Sequence, residues 1–245
     1  MPRMTLSIVS HNDGEIISRM IRATPPSILS SYSEIIIREN AKDFCNQLHT
    51  CELEYNNIRL IFNTERFGFG KNHNLNYKAS SHQSEYFIVC NPDLDQLPDV
   101  HSELCNHKRV PYFLGTAIIQ DTNDKIADFK RTEISWFIIL LRFIVSKKFG
   151  ITKNMDNCVW VPSVFKVFSR SLFEKVNGYD ERIFMYYEDY DICKRTQKHA
   201  KIQILDSTVC HVARRSSRKN FKGLWTHVKS VHYVLGKKRG KKYVG

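Results

Sequence analysis

Short apolar runs alternate with helix-spaced segments through the first half of the chain. Thr5 to Ser10 (TLSIVS) reads as a strand, followed by the polar turn His11-Asn12-Asp13-Gly14 and by Ile16, Ile17, Met20 and Ile21 at helical spacing between Glu15 and Arg22. Pro25-Pro26 stops that helix. Ser33 to Arg38 (SEIIIR), Ile58 to Phe62 (IRLIF) and Tyr86 to Cys90 (YFIVC) are further apolar runs, of the length that strands buried on both faces need. Asn63 to Gly70 is a turn with two glycines, and Lys71 to Ser80 reads as helix. Strands alternating with helices at this spacing predict an α/β chain with a doubly wound, mostly parallel sheet. In such sheets ligands bind beyond the carboxyl ends of the strands, where His11-Asn12, Glu39-Asn40 and Asp93-Leu94-Asp95 fall.

The second half is less regular. Pro111 to Ile119 and Trp160 to Phe168 read as strands, with the apolar segment Ile134 to Val145 between them. Ser171 to Val176 predicts a short helix closed by Asn177-Gly178, and Asp189 to Lys198 a helix opened by an acidic cluster. Ile202 to Leu205 and Thr208 to Val212 read as two short strands. Phe221, Leu224, Trp225, Val228, Val231, His232 and Leu235 recur at three- and four-residue intervals, which predicts an amphipathic helix over Asn220 to Leu235. The chain divides into a body, 1–212, and a basic tail, 213–245. No internal repeat is present.

Charge sharpens that division. Lys and Arg number 37 against 25 Asp and Glu, a formal net charge of +12. From Ser207 to Gly245 there are eleven basic residues and no acidic one, so the remainder is close to neutral. With 42% apolar and 12% aromatic residues the body has ample material for a core. The opening MPRMTLSIVSHN lacks the pattern of a cleaved signal peptide. Ile134 to Val145 contains Arg142 and falls well short of the roughly 20 residues that span a bilayer. The cysteines are an odd number, seven, with no CxxC pair, a usage that suits buried thiols in a reducing cytoplasm.

Three features carry candidate chemistry. Asp93 and Asp95 follow an apolar strand and, in extended chain, point the same way, an arrangement open to a divalent cation shared with phosphates or to a turn with capping duties. Phe184 to Asp191 (FMYYEDYD) sets three carboxylates in four positions behind aromatic residues, either as the acidic start of a helix or as a general base tuned by apolar neighbours. His211 ends a short strand, as a third cation ligand or a packed histidine. Phe67-Gly68-Phe69-Gly70 leaves room for backbone to approach a nucleotide, but neither GxGxxG nor GxxxxGK[ST] occurs, which disfavours a nicotinamide or flavin enzyme and a P-loop NTPase.

In order, the chain shows SIVSHN, an ENAKD after the second strand, NTERFGFGKNHN, FIVCNPDLD, and the block FKVFSRSLFEKVNGYDERIFMYYEDYDICKR followed by STVCH. This series resembles the family 2 glycosyltransferases of the GT-A fold, particularly the bacterial rhamnosyltransferase-like members that build O-antigen, capsule and lipopolysaccharide core. The resemblance spans about Thr5 to His211. It implies a GT-A type nucleotide-binding sheet flanked by helices. It implies a nucleotide-sugar site formed by Ser10, Asn12, Glu39, Asn40, Gly70, Asn74 and Asp93, and a Mg2+ or Mn2+ ion on Asp93 and Asp95 with His211. It further implies Asp189 as the catalytic base, with Glu188 helping to hold the acceptor. Three positions depart from the family pattern: Glu39 stands where aspartate is usual, beside Arg38 and Lys42; Ser163-Val164-Phe165 replaces Ser-Gly-Ala; and His73 replaces a small polar residue.

The expectation is therefore a metal-dependent, inverting transferase moving a sugar from dTDP-rhamnose or a UDP-hexose to a hydroxyl of a lipid-linked or lipopolysaccharide or capsule glycan. Two rivals stand beside it: a nucleotidyltransferase, which needs no Glu188-Asp189 base, and a non-catalytic nucleotide-sugar-binding protein. The basic amphipathic C-terminal helix is expected to attach the protein to an anionic membrane, at the cytoplasmic face of the bacterial cell membrane, in preference to nucleic acid.

Overall fold

In the computed structural model the described residues are 2–41, 46–107, 110–121, 123, 125–127, 129–145, 150–211 and 221–238. Among them the strands are β1 (Met4–Ser10), β2 (Glu34–Glu39), β3 (Ile58–Phe62), β4 (Tyr86–Cys90), β5 (Leu114–Gln120), β6 (Phe165–Ser169) and β7 (Ile202–Cys210). The helices are α1 (Gly14–Ala23), α2 (Pro26–Ser31), α3 (Asn46–Glu54), α4 (Phe69–Ala79), α5 (His101–Asn106), α6 (Trp136–Ile144), α7 (Arg170–Lys175), α8 (Glu188–Thr196) and α9 (Phe221–Lys238).

The strands form one sheet in the order β3-β2-β1-β4-β6-β5-β7. β1 pairs in parallel with β2 and β4, β2 with β3, and β5 with β7, whereas β6 runs antiparallel to both β4 and β5. Two reversals around β6 return β5 and β7 to the direction of β4. The carboxyl ends of β1, β2, β4 and β7 consequently share one edge, and the amino end of β6 joins them there. This is the mostly parallel, helix-flanked sheet that the apolar runs predict.

β4 and β6 are buried along their whole length. Phe87, Ile88 and Val89 have no exposed surface, and burial of such side chains contributes about 1.5–3 kcal/mol each. Ile17, Met20 and Ile21 form the buried face of α1. Thr24 ends that helix, its hydroxyl donating to Met20 O at 2.8 Å and accepting from Leu97 N at 2.9 Å. Pro26 then opens α2, where a missing N–H costs nothing. Between α4 and the sheet lies a buried polar network: Ser7 Oγ meets His73 Nδ1 at 2.7 Å, Asn76 Nδ2 donates to Ser7 Oγ at 2.9 Å, and Arg38 Nε donates to Asn76 Oδ1 at 2.7 Å. Burial, reinforced by Arg38 and Lys166, pushes His73 down to about 3, so its ring is neutral.

Several elements differ from expectation. Trp160 to Val164 is not strand; the ladder with β4 begins at Cys90 and Phe165, and Trp160 N bonds Arg131 O at 3.2 Å instead. The two strands expected near the end are one, β7, because the Glu103 carboxylate accepts the N–H groups of Asp206 and Ser207 at 2.7 and 3.1 Å and carries the polar dipeptide through the strand. Ile134 to Val145 holds the nine-residue α6, and no helix among the described residues is long and apolar enough to cross a membrane. Six cysteines are described, all without a disulfide, and Cys51, Cys90, Cys158 and Cys193 are buried; Cys45 lies outside the described residues.

The C-terminal helix does not lie free. Val231, Val234 and Leu235 are buried in a second core cluster with Ile134, Ile183 and Tyr190. Ser230 Oγ donates to Met185 O at 2.8 Å, and Tyr233 OH donates to Asp180 Oδ2 at 2.9 Å. Part of the apolar stripe expected to meet a membrane thus meets the body of the protein. Most basic residues of the tail, including Arg214, Arg215, Arg218, Lys219, Arg239, Lys241 and Lys242, lie outside the described residues.

Candidate active site

β1 is the point at which strand order reverses, with β2 on one side and β4 on the other. A cleft of about 390 Å³ opens there, lined by His11 and Asp13 after β1, Asn40 after β2, Asn91 and Asp93 after β4, and Arg66. This is where an open parallel sheet places its ligand.

Glu39 ties the floor together. It is buried, and its carboxylate accepts the Ser10 hydroxyl, Asn12 N–H at 3.3 Å and Ala41 N–H at 2.9 Å. Asn12 adopts φ 61°, a left-handed conformation that asparagine tolerates. Arg38 does not neighbour that carboxylate as the sequence suggests: strand alternation sends it to the α4 side, where its Nη1 also donates to Asn63 Oδ1 at 2.9 Å. Lys42 lies outside the described residues. Asn40 Oδ1 accepts from Phe67 N and Asn63 Nδ2, both at 2.9 Å, so it fixes the loop leading to α4 while lining the cleft.

At the same edge Asp93 Oδ1 and His211 Nε2 stand 3.1 Å apart, and Leu94 bridges to His211. Asp95 N bonds Cys210 O at 3.1 Å, but the Asp95 side chain is exposed and accepts from Gln96 N at 2.8 Å. Asp93, Asp95 and His211 therefore do not close into a trio, and among the described residues no group of three or more His, Cys, Asp or Glu forms a metal cluster. Asp93 and His211 fit an ion that takes its other ligands from phosphate and water.

The acidic pair opens α8. Asp189 Oδ1 accepts from Ser163 Oγ and lies 3.5 Å from Lys166 Nζ, whose side chain has 0% exposure. Ser163 Oγ also meets Tyr179 OH at 2.9 Å, and Lys166 Nζ reaches Cys193 Sγ at 3.5 Å. Burial pulls the Lys166 ammonium down, but Cys193 and Asp189 outweigh it and leave the group above its ordinary value, still charged. Glu188 is buried with Oε2 unpartnered. Burial, then the Asp189 charge, push it up to about 8. The register of Cys90 with Phe165, and the Asn91 N to Val164 O bond at 2.9 Å, set Ser163 and its Asp189 partner at the same sheet edge as Asp93.

Immediately before these acids Tyr186 and Tyr187 take φ 71° and 64°. For non-glycine residues this conformation costs about 1–3 kcal/mol each and persists only where surrounding contacts enforce it. His227 of α9 supplies one such contact, stacked on Tyr186 with ring centroids 3.5 Å apart.

Gly70 and Asn74 have other neighbours than those expected of a nucleotide site. A Cβ on Gly70 would come within 2.5 Å of Tyr179 Cβ, and a Cβ on Gly68 would strike the Phe184 carbonyl. The room in this loop is filled by protein backbone and Tyr179. Asn74 exchanges two bonds of 2.9 Å with the Tyr179 main chain, beside a separate cleft of about 590 Å³ between α4 and α7. Sequence reading missed Lys166, legible only as a lysine inside an apolar strand, Arg66 and His227.

No family model matches the chain. It is 26% identical over 257 residues to the rhamnosyltransferase WbbL of Escherichia coli (strain K12), covering 95% of this chain and 92% of that one. Among solved structures, TarS 1-349 from S. aureus superposes with TM-score 0.60 at 11% identity over 85% of this chain. GalNAc-T7 with UDP, GalNAc and Mn2+ gives 0.63 at 14% over 89%. The mannosyltransferase PcManGT of Pyrobaculum calidifontis, with GDP-Man and Mn2+, gives 0.60 at 12% over 100%. The chain spans 60%, 44% and 66% of those three structures respectively. It has the mixed sheet of the GT-A glycosyltransferases, and its relationship to WbbL supports a family 2 glycosyltransferase.

Proposed function

We propose that the protein is an inverting glycosyltransferase that moves a sugar from a nucleoside-diphosphate donor, dTDP-rhamnose or a UDP-hexose, to a hydroxyl of a lipid-linked or lipopolysaccharide or capsule glycan. The observation that carries this reading is that Asp189, held by Lys166 and Ser163, shares one edge of the sheet with the Asp93–His211 pair, and that Asp93 lines the cleft at the switch point. The rhamnosyltransferase relative and neighbours solved with nucleotide sugars support it.

The Asp189 carboxylate takes the proton of the acceptor hydroxyl while that oxygen attacks the anomeric carbon. The bond from the anomeric carbon to the diphosphate oxygen breaks on the opposite face, and the configuration inverts. Lys166 pairs with the Asp189 carboxylate and Ser163 fixes its orientation. Glu188, protonated at neutral pH, has an O–H to offer the acceptor. Arg66 at the cleft supplies positive charge for the diphosphate. Asp93 and His211, with Asp95 through water, would hold Mg2+ or Mn2+, which when bound neutralises charge on the leaving group. Ser10, Asn12, Glu39 and Asn40 shape the nucleotide end. The basic C-terminal region attaches the protein to the inner face of the cell membrane, where a lipid-linked acceptor resides.

The test is release of nucleoside diphosphate from a panel of nucleotide sugars with Mg2+ or Mn2+ and a glycolipid acceptor. Wild type turns over one donor; Asp189→Asn loses about 10²–10⁴-fold while still binding it, and Asp93→Ala loses both. Full turnover by Asp189→Asn rejects the base. Pyrophosphate-forming activity favours a nucleotidyltransferase, and binding without turnover of any donor favours a binding protein.

A further inference from the structure

The two longest stretches of the chain without an acidic residue both carry basic ones. One is 134–155, with Arg142, Lys147, Lys148 and Lys153; the other is 207–245. Far apart in sequence, α6 and α9 meet where α6 begins. The rings of Trp136 and His232 have centroids 6.5 Å apart, and Ile134 shares its core cluster with Val231, Val234 and Leu235.

α9 has two faces. Val231, Val234 and Leu235 turn inward. Trp225, Val228 and His232, at spacings of three and four, make a separate stripe. Trp225 is 56% exposed and Val228 40%, and Lys229 Nζ sits 5.5 Å from the Trp225 ring centroid. His232 is the member of that stripe that touches Trp136, so the stripe runs directly onto α6. There Trp136, Phe137 and Leu140 are 43%, 68% and 55% exposed, and Val145 just beyond is 64%. Five of the eleven exposed large apolar side chains among the described residues lie on these two helices, and Val145 adjoins α6.

We propose that the joint α6–α9 face docks on an anionic lipid bilayer, with Phe137, Leu140 and Trp225 entering the interface and the flanking acid-free segments contacting the headgroups. The inference rests on the membrane reading above and moves the contact from the inner stripe of the C-terminal helix to a surface built mainly by α6. Tryptophan suits such a position because its ring is apolar and its N–H is wet. Each basic residue near an anionic surface adds about 1 kcal/mol, and apolar insertion adds to that. A second copy of this chain suits the face poorly, since pairing would press two like-charged, acid-free segments together.

The experiment is co-sedimentation of the full chain with phosphatidylcholine vesicles prepared with and without phosphatidylglycerol, with size and melting temperature measured alongside. Wild type is expected to pellet with the phosphatidylglycerol vesicles alone and to be released by salt. Phe137→Ser/Leu140→Ser/Trp225→Ser should bind about tenfold less or weaker still, at unchanged melting temperature. Wild type that pellets with neither preparation overturns the membrane reading itself. Equal binding by wild type and the triple variant overturns the docking face while leaving membrane attachment through the tail intact. A wild-type dimer that the substitutions disperse makes the face an interface between copies and overturns the proposal.

Discussion

Lys166 is wholly buried and stands 3.5 Å from Asp189, its charge partner across the approach from β6 to α8. Removing one partner of a buried pair leaves an uncompensated charge, which costs about 3–5 kcal/mol; the 19% exposure of the Asp189 side chain moves the expectation to the low end of that range. Lys166→Met should lower the urea midpoint, and Lys166→Met/Asp189→Asn should recover part of the loss. An unchanged midpoint, or a double variant no better than the single, counts against the pair.

Glu188 makes stability pH-dependent in a stated direction. Its ordinary value is 4.5 and the folded chain holds it near 8. Below 4.5 folded and unfolded chains both carry the proton, and the stability is full. As pH rises towards about 8 the unfolded chain releases a proton that the folded chain retains, and stability falls, at up to about 1.4 kcal/mol per pH unit. Urea midpoints of wild type and Glu188→Gln should diverge across this window, the wild type losing more. Parallel curves would show that Glu188 ionises normally.

Gly70→Ala separates packing from ligand binding. Overlap with Tyr179 should cost about 1–3 kcal/mol of stability, while donor affinity, measured where the variant is folded, stays at the wild-type level. Asn74→Ala should behave alike through its lost bonds to Tyr179. Weakened donor binding at an unchanged melting temperature would restore the nucleotide role implied by the family pattern.

His227 stacks on Tyr186, whose backbone is in the left-handed conformation. The stack is worth about 0.5–1.5 kcal/mol, comparable with the strain it opposes. His227→Ala should lower kcat about tenfold or less with KM for the donor little changed, and His227→Phe should restore most of it by replacing the stacked ring. Equal losses in the two variants would assign His227 another part.

The donor half of the fold is legible because β1, β3 and β4 are contiguous apolar runs with polar turns, and the site acids cluster in sequence as they do in space. α3 and α5 escape notice because their spacing is mixed. β7 reads as two strands because Asp206 and Ser207 interrupt its pattern, and only the distant Glu103 satisfies their backbone. Gly70 and Asn74 sit where the family pattern puts nucleotide contacts, yet Tyr179, more than a hundred positions later, occupies the space. A separation of 45 positions between Ser230 and Met185 likewise hides the grip of α9 on the segment before Glu188.

His211 reaches Asp93 across 118 positions of chain, so the pair assembles only once β7 has joined the sheet edge. Contacts of such separation are among the slowest to form, because loop closure precedes any reward. A nascent chain can hold β1 to β4 in register and still present half a site. Under the proposed function the nucleotide end on β1 and β2 forms before β7 is in place, and the diphosphate end is completed only afterwards.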